Sequence, residues 1–210
     1  MFKKYSTLVL VAAGLIFVSC DEKNDKVKEQ ETRPHDGKIT VSVGSKYQEL
    51  YQLATVKAIS FVTGYNDVEP IGDVIATSNF VNGGFTINLP LTVSDEFFKK
   101  LSDVGNVKSS NPNTKVALVQ YLNVYNTEGK FVGYFQYFNF RQTKYGNGDI
   151  PIIAKFWYAD SDVTIKDGNL SFSLKKGWNI LYEVDASNEE INSMWWSFTV
   201  FSDAVLGVIN

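Results

Sequence analysis

The chain has 210 residues, with 20 lysines and arginines against 23 acidic residues, a formal net charge of −3, and aromatic side chains at 14% of positions. Its length suits one domain or two small ones, and a mildly acidic balance with no basic cluster argues against a nucleic-acid partner. A single cysteine and a single histidine exclude disulfides and sites built from several Cys or His ligands.

From the start, Lys3 and Lys4 precede an uncharged run over 5–19, whose apolar heart is 8–18. A bilayer-spanning helix takes about 20 apolar residues. This shorter run behind a positive leader therefore reads as a secretory signal, to be set aside from fold reasoning. It ends in Phe17-Val18-Ser19-Cys20, followed at once by Asp21-Glu22-Lys23. These residues resemble the lipobox of bacterial lipoproteins, although Phe17 stands where leucine is commonest. The resemblance implies a signal peptide over 1–19, acylation of Cys20, and a lipid bilayer as the partner held through that acylated cysteine. Acidic residues directly after the cysteine are similar to the surface-export signal of Bacteroidota lipoproteins, which implies an outer-membrane, surface-exposed address. In enterobacteria an Asp beside the lipidated cysteine implies inner-membrane retention instead.

Without residues 1–20 the chain keeps 18 basic and 23 acidic residues, a formal charge of −5. Residues 20–37 are charged and nearly free of apolar groups, so the expectation is a lipidated cysteine on a disordered tether. The sole histidine, His35, falls in that stretch. This removes Ser-His-Asp and Cys-His catalysis and His-ligated metals from the folded part. Carboxylate chemistry survives, either as an Asp/Glu pair for glycoside hydrolysis or as an oxygen-ligated calcium site. No cofactor is expected.

Past the tether, strand patterns dominate. Residues 38–43 alternate with period two, 54–63 reads as a second strand closed by Gly64, and Tyr47, Leu50, Tyr51 and Ala54 share helical spacing ahead of it. Asn82-Gly83-Gly84 predicts a tight hairpin joining 73–81 to 85–89, with Phe85, Ile87 and Leu89 on one face and Pro90 ending the ladder. Ser94, followed by Asp95 and Glu96, predicts a short helix over 95–101. A polar stretch at 102–114 then precedes two long β-patterned runs, 115–126 and 130–141, joined by a turn. In the second run Phe131, Phe135 and Tyr137 fall on one face, and Val132, Tyr134, Phe138 and Phe140 on the other. Apolar groups on both faces indicate a strand covered on both sides, or one face used for binding. Further strands are expected at 150–158, 163–165, 170–174, 179–184 and 194–201, with turns at Asp167-Gly168 and Lys176-Gly177.

Many short strands, few helices and frequent turns read as an all-β fold, an antiparallel β-sandwich of immunoglobulin- or transthyretin-like type with one or two short helices. The domain is expected to span 38–210. The stretch 102–114 is a possible sub-boundary, separating either two small domains or, as preferred, the two sheets of one sandwich. The segments Gly83-Gly84-Phe85-Thr86-Ile87-Asn88-Leu89-Pro90, Tyr158-Ala159-Asp160 and Leu174-Lys175-Lys176-Gly177-Trp178-Asn179 resemble those of uncharacterised β-rich envelope lipoproteins of Bacteroidota. That likeness implies an envelope address and a β-rich fold, and carries no catalytic residues with it.

Aromatic rings on an open sheet face bind sugars by stacking, and the competing account is that they fill a core. Neighbours on a strand point to opposite faces, so Trp195 with Trp196, and Trp157 with Tyr158, cannot share one core without a bulge. This makes Trp157, Tyr158 and Trp196 candidate platform residues. Trp178, after Gly177 in a turn, is a fourth, either exposed at a loop tip or covering the open end of the sandwich. Asp160-Ser161-Asp162 with Asp167-Gly168 gathers oxygen ligands, but Thr164 and Lys166 break the alternation of a calcium loop, so these read as turn residues and no metal site is assigned. Asp95-Glu96 and Glu189-Glu190 are adjacent and read as helix-start residues rather than an acid/base pair. The functional expectation is a non-catalytic surface lipoprotein that binds a glycan or an envelope protein. The alternatives are a structural accessory of a fimbrial or nutrient-uptake assembly and a carboxylate-based glycoside hydrolase.

Overall fold

A computed structural model describes residues 28–104, 107–142, 149–168, 170–182 and 194–201. The signal segment, Cys20, residues 21–27 and the Glu189-Glu190 pair lie outside the described residues. In chain order the strands of the first half are β1 (Lys28–Glu29), β2 (Thr32–Pro34), β3 (Lys38–Ser42), β4 (Leu53–Asn66), β5 (Glu69–Asn79), β6 (Gly84–Asn88), β7 (Lys99–Lys100) and β8 (Lys108–Ser109). The second half contributes β9 (Lys115–Asn126), β10 (Phe131–Gln142), β11 (Asp149–Ala159), β12 (Val163–Asp167), β13 (Leu170–Leu174), β14 (Gly177–Tyr182) and β15 (Trp195–Val200). One α-helix, α1 (Ser45–Leu50), lies between β3 and β4, where the spacing of Tyr47, Leu50 and Tyr51 places a helical turn.

The fold is all-β and sandwich-like. A nine-stranded central sheet runs β2-β14-β11-β10-β9-β4-β5, with β15 paired to β10 and β7 paired to β9. A two-stranded layer, β3 with β6, covers one face: Ile39, Val41, Phe85 and Ile87 pack with Val56, Ala58, Leu122, Val124 and Phe135. A four-stranded layer, β1-β13-β12-β8, covers part of the other face: Val163, Ile165, Phe172 and Leu174 pack with Val116, Trp157 and Leu181. Each fully buried aliphatic or aromatic side chain contributes about 1.5–3 kcal/mol. These two cores lie on opposite sides of one sheet, and a smaller cluster of Ile152, Ala154, Tyr182 and Met194 adds to them among the described residues.

Several expectations change at this level. The segment 28–37 is not a tether. β1 pairs in parallel with β13, and β2 pairs antiparallel with β14. Backbone ladders do not depend on apolar side chains, so charged composition did not prevent pairing. His35 is half-buried, 5.0 Å edge-on to the Phe156 ring, and its Nδ1 accepts a 2.9 Å bond from the Gly37 N–H. That bond requires an unprotonated Nδ1, and burial likewise lowers the imidazole pKa.

The turn at Asn82-Gly83 forms as expected, with φ of 51° and 80° and backbone bonds of 2.7 and 3.2 Å between Val81 and Gly84. Its arms do not form a ladder, however, because β6 leaves the central sheet to pair with β3. In place of a helix over 95–101 there is a 3₁₀ turn, Asp95–Phe97, followed by β7. The Ser94 hydroxyl bonds Glu96 rather than capping a backbone N–H. The stretch 102–114 is not a seam, since Leu101 is buried in the second core, β8 pairs with β12, and β4 pairs with β9 across it. The parts 38–101 and 115–210 therefore share one sheet.

The β9–β10 hairpin is as read, except for a register shift between Phe131 and Gly133. The bulge turns Val132 toward the two-stranded layer beside Phe135 and sends Phe131 to the opposite face with Tyr134. Gly133 is required there, because a Cβ would meet the Thr199 carbonyl of the adjacent β15.

Candidate functional site

Three of the four sequence-derived platform residues are core. Trp157 is 9% exposed and packs in the four-stranded core 6.1 Å from Phe172; Tyr158 is 6% exposed and faces the other layer, 5.4 Å from Trp178. Alternation along β11 is obeyed, but both faces are covered at that strand, so neither neighbour reaches solvent. Trp178 is 3% exposed and donates its indole N–H to the Pro90 carbonyl at 2.9 Å, closing the end of the sandwich. Trp196 is half-buried, lying parallel to Phe156 at 5.9 Å and beside Tyr137 at 5.1 Å on the two-stranded side. Cys20, the residue expected to be acylated, lies outside the described residues.

A partly exposed set of rings is built instead from tyrosines and phenylalanines on β9, β10 and the residue after β15. Along β9, Leu122 and Val124 point into the two-stranded core, so period two sends Tyr121, Asn123 and Tyr125 to the other face. On β10, Tyr134 lies directly opposite Asn123, and the bulge brings Phe131 opposite Tyr125. The rings form an arc. Tyr121 meets Tyr134 edge-on at 4.8 Å, Tyr134 meets Phe201 at 5.5 Å, Phe201 stacks on Phe131 at 6.2 Å, and Phe131 meets Tyr125 at 6.0 Å. Phe201 is exposed, Phe131, Tyr134 and Tyr125 are half-buried, and Tyr121 is buried.

Over the β9 side of this arc folds the tip of the β4–β5 hairpin. From Thr55 to Ile59, β4 pairs with β9 in continuous register, Lys57 opposite Asn123 and Ile59 opposite Tyr121, and the register shifts between Ile59 and Ser60. At Phe61 the backbone takes a left-handed φ of 40°, and the β4–β5 register shifts between Ser60 and Gly64. The chain then returns over β9: the Tyr65 and Tyr121 hydroxyls are 3.4 Å apart, the Tyr125 hydroxyl donates to Glu69 at 2.7 Å, and Asn123 Nδ2 donates to the Pro70 carbonyl at 2.9 Å. Such a tight fold needs Gly72, where a Cβ would sit 2.5 Å from the Ser60 carbonyl oxygen. The outer side of the tip exposes Tyr65, Val68 and Ile71. On the sheet beneath, the Lys57 ammonium lies 4.2 Å from the centre of the Tyr125 ring, a cation–π contact.

The phenols are tuned by this packing. Burial and the Glu69 carboxylate push Tyr125 up to about 12, and burial pushes Tyr182, on the other side of the sheet, up to about 12 as well. Burial also raises Tyr134. A phenol whose folded pKa exceeds its ordinary value of 10.0 favours the folded state below that value. This contribution is lost as pH rises from about 10 to about 12. Alkaline titration followed by phenolate absorbance should therefore show a late group of tyrosines, and Tyr125→Phe should remove one of them. A single transition near pH 10 covering every tyrosine would contradict the burial described.

The acidic loop behaves as a set of turn residues. Asp160 accepts the Lys115 backbone N–H at 3.1 Å, and Asp162 accepts the Lys176 N–H and the Lys175 ammonium, both at 2.8 Å. Among the described residues no cluster of three His, Cys, Asp or Glu is placed to hold a metal ion. Glu69, the carboxylate at the arc, is already taken by Tyr125. Ring faces, phenol tips, one amide and a lysine suit reversible binding of a molecule that has both apolar patches and hydroxyls.

Comparison of the chain with family models, with curated proteins and with solved structures found no match.

Proposed function

We propose that the protein is a non-catalytic lipoprotein, anchored through acylated Cys20 at the outer face of a bacterial envelope, whose β-sandwich binds a glycan. The binding surface in this reading is the arc of Tyr121, Tyr134, Phe201, Phe131 and Tyr125, in place of the tryptophans first considered. One observation carries it: a contiguous set of rings, tipped with hydroxyls, lies on a sheet face where the four-stranded layer does not reach. A pyranose has the matching chemistry, apolar C–H faces for stacking and hydroxyls for the phenol oxygens.

A glycan array probed with residues 21–210 tests the reading. Binding should appear and should fall about tenfold or more in Phe201→Ala and Tyr134→Ala, each of which removes a ring from the arc. Binding that ignores both substitutions would remove the arc from the site. A partner in a larger envelope assembly is the competing occupant, and the exposed Ile71 and Val74 on β5 are the residues that favour it. Yet β5 is the sheet edge and carries Pro70 and two register shifts, features that discourage strand addition.

A further inference from the structure

Asn123 is a buried amide with only one of its two ends bonded. It lies between Leu122 and Val124, is 0% exposed, and stands opposite Tyr134 on one side and Lys57 on the other. A buried amide is retained at a cost unless both of its ends are bonded. The nitrogen end is bonded, to the Pro70 carbonyl, while Oδ1 has no partner. Rotating the amide would set oxygen against oxygen, so the orientation is fixed, and the unpartnered acceptor belongs to the residue between Tyr121 and Tyr125 on the same face of β9. Its cover, the β4–β5 tip, is tied down over β9 by the Tyr65, Glu69 and Pro70 contacts and bends at Phe61 and Gly72.

Resting on the glycan reading above, we infer that Asn123 Oδ1 is the buried acceptor for one hydroxyl of a neutral pyranose, which enters when the tip of the β4–β5 hairpin lifts. A neutral donor fits better than an ion. Glu69 and the acceptor oxygen both disfavour an anion. An ammonium group would compete with Lys57, already seated on Tyr125. The hydroxyl would complete the amide's bonding, with Tyr121 and Tyr125 flanking the sugar ring.

The test uses residues 21–210 and three probes, methyl β-D-glucopyranoside, methyl β-D-galactopyranoside and methyl α-D-mannopyranoside, titrated by NMR with observation of the Asn123 side-chain amide. At least one glycoside should shift that amide and the backbone amides of 62–71. Asn123→Ala, shown to unfold cooperatively, should bind it about tenfold more weakly. Tyr125→Phe, which unties Glu69, should speed amide exchange across 62–71. If a glycoside binds the arc and Asn123→Ala binds it equally well, the subsite is wrong and the arc reading stands. If none of the three binds the wild type, and the array is also blank, both readings fall. Should Asn123→Ala fail to fold, an Asn123 amide that stays unshifted in the saturated wild type overturns the subsite.

Discussion

Trp178→Ala should destabilise the fold by about 3–5 kcal/mol, the usual cost of emptying a buried aromatic site. The indole is 3% exposed, meets Tyr158 at 5.4 Å and holds the Pro90 carbonyl at 2.9 Å. It joins β14 of the central sheet to the chain just beyond β6 of the two-stranded layer, so its loss weakens the clamp between layers. A domain of this size has roughly 5–15 kcal/mol in all. Urea unfolding should show a large drop in midpoint with little change in slope. Trp178→Phe, which keeps a ring but loses the N–H, should cost less, and the difference isolates the Pro90 bond. A loss below about 1 kcal/mol for the alanine variant would mean that the ring is exposed after all. Its effect would then fall on ligand binding.

A chain that starts at Gly37 should be less stable than one that starts at Lys28, by about 2–4 kcal/mol after the ordering entropy of the lost segment is deducted. The segment supplies main-chain bonds from Gln30 to the Ser171 carbonyl at 2.7 Å, from His35 to the Trp178 carbonyl at 2.9 Å, and from Tyr182 to the Glu31 carbonyl at 3.2 Å. It also places the His35 ring against Phe156. Mild digestion of residues 21–210 with a nonspecific protease should leave the stretch from Lys28 to Asp36 uncut. A native-state cut between 29 and 36, with the rest of the protein unaffected, would return this stretch to a tether. Because burial lowers the His35 pKa below 6.5, its contribution is present above that pH and is lost as the solution is acidified below it. The longer chain should therefore lose part of its advantage in acid.

The strands themselves were largely legible, because period two and turn chemistry are local. Asn82-Gly83 and the 115–126 and 130–141 runs appear where the pattern places them. Partner choice was not legible: nothing local tells β6 to pair with β3 rather than with β5. Nor did alternation predict exposure at Trp157 and Tyr158, since a sheet covered on both faces buries odd and even positions alike. The charged stretch before Gly37 misled for a related reason, because ladder bonds are made by backbone groups that composition does not describe. The arc was half visible, in the aromatics on both faces of the second long run. What hid the rest was one extra residue at Val132, which moved Phe131 across the sheet. Asn123, a lone polar residue in the run Leu122-Asn123-Val124, was visible in the sequence but passed unremarked.

The pairing of β1 and β2 bears on when the molecule can finish folding. Thr32 donates its hydroxyl to the carbonyl of Ser173, 141 residues away, and both of these early strands take their partners from β13 and β14. During synthesis from the N-terminus, the first strands made are thus among the last to find their places. Closing so long a loop is entropically slow, which sets refolding toward the millisecond-to-second regime of non-local β topologies. In the secreted-lipoprotein reading proposed above, that delay would keep this early segment free until the rest of the chain has crossed the membrane.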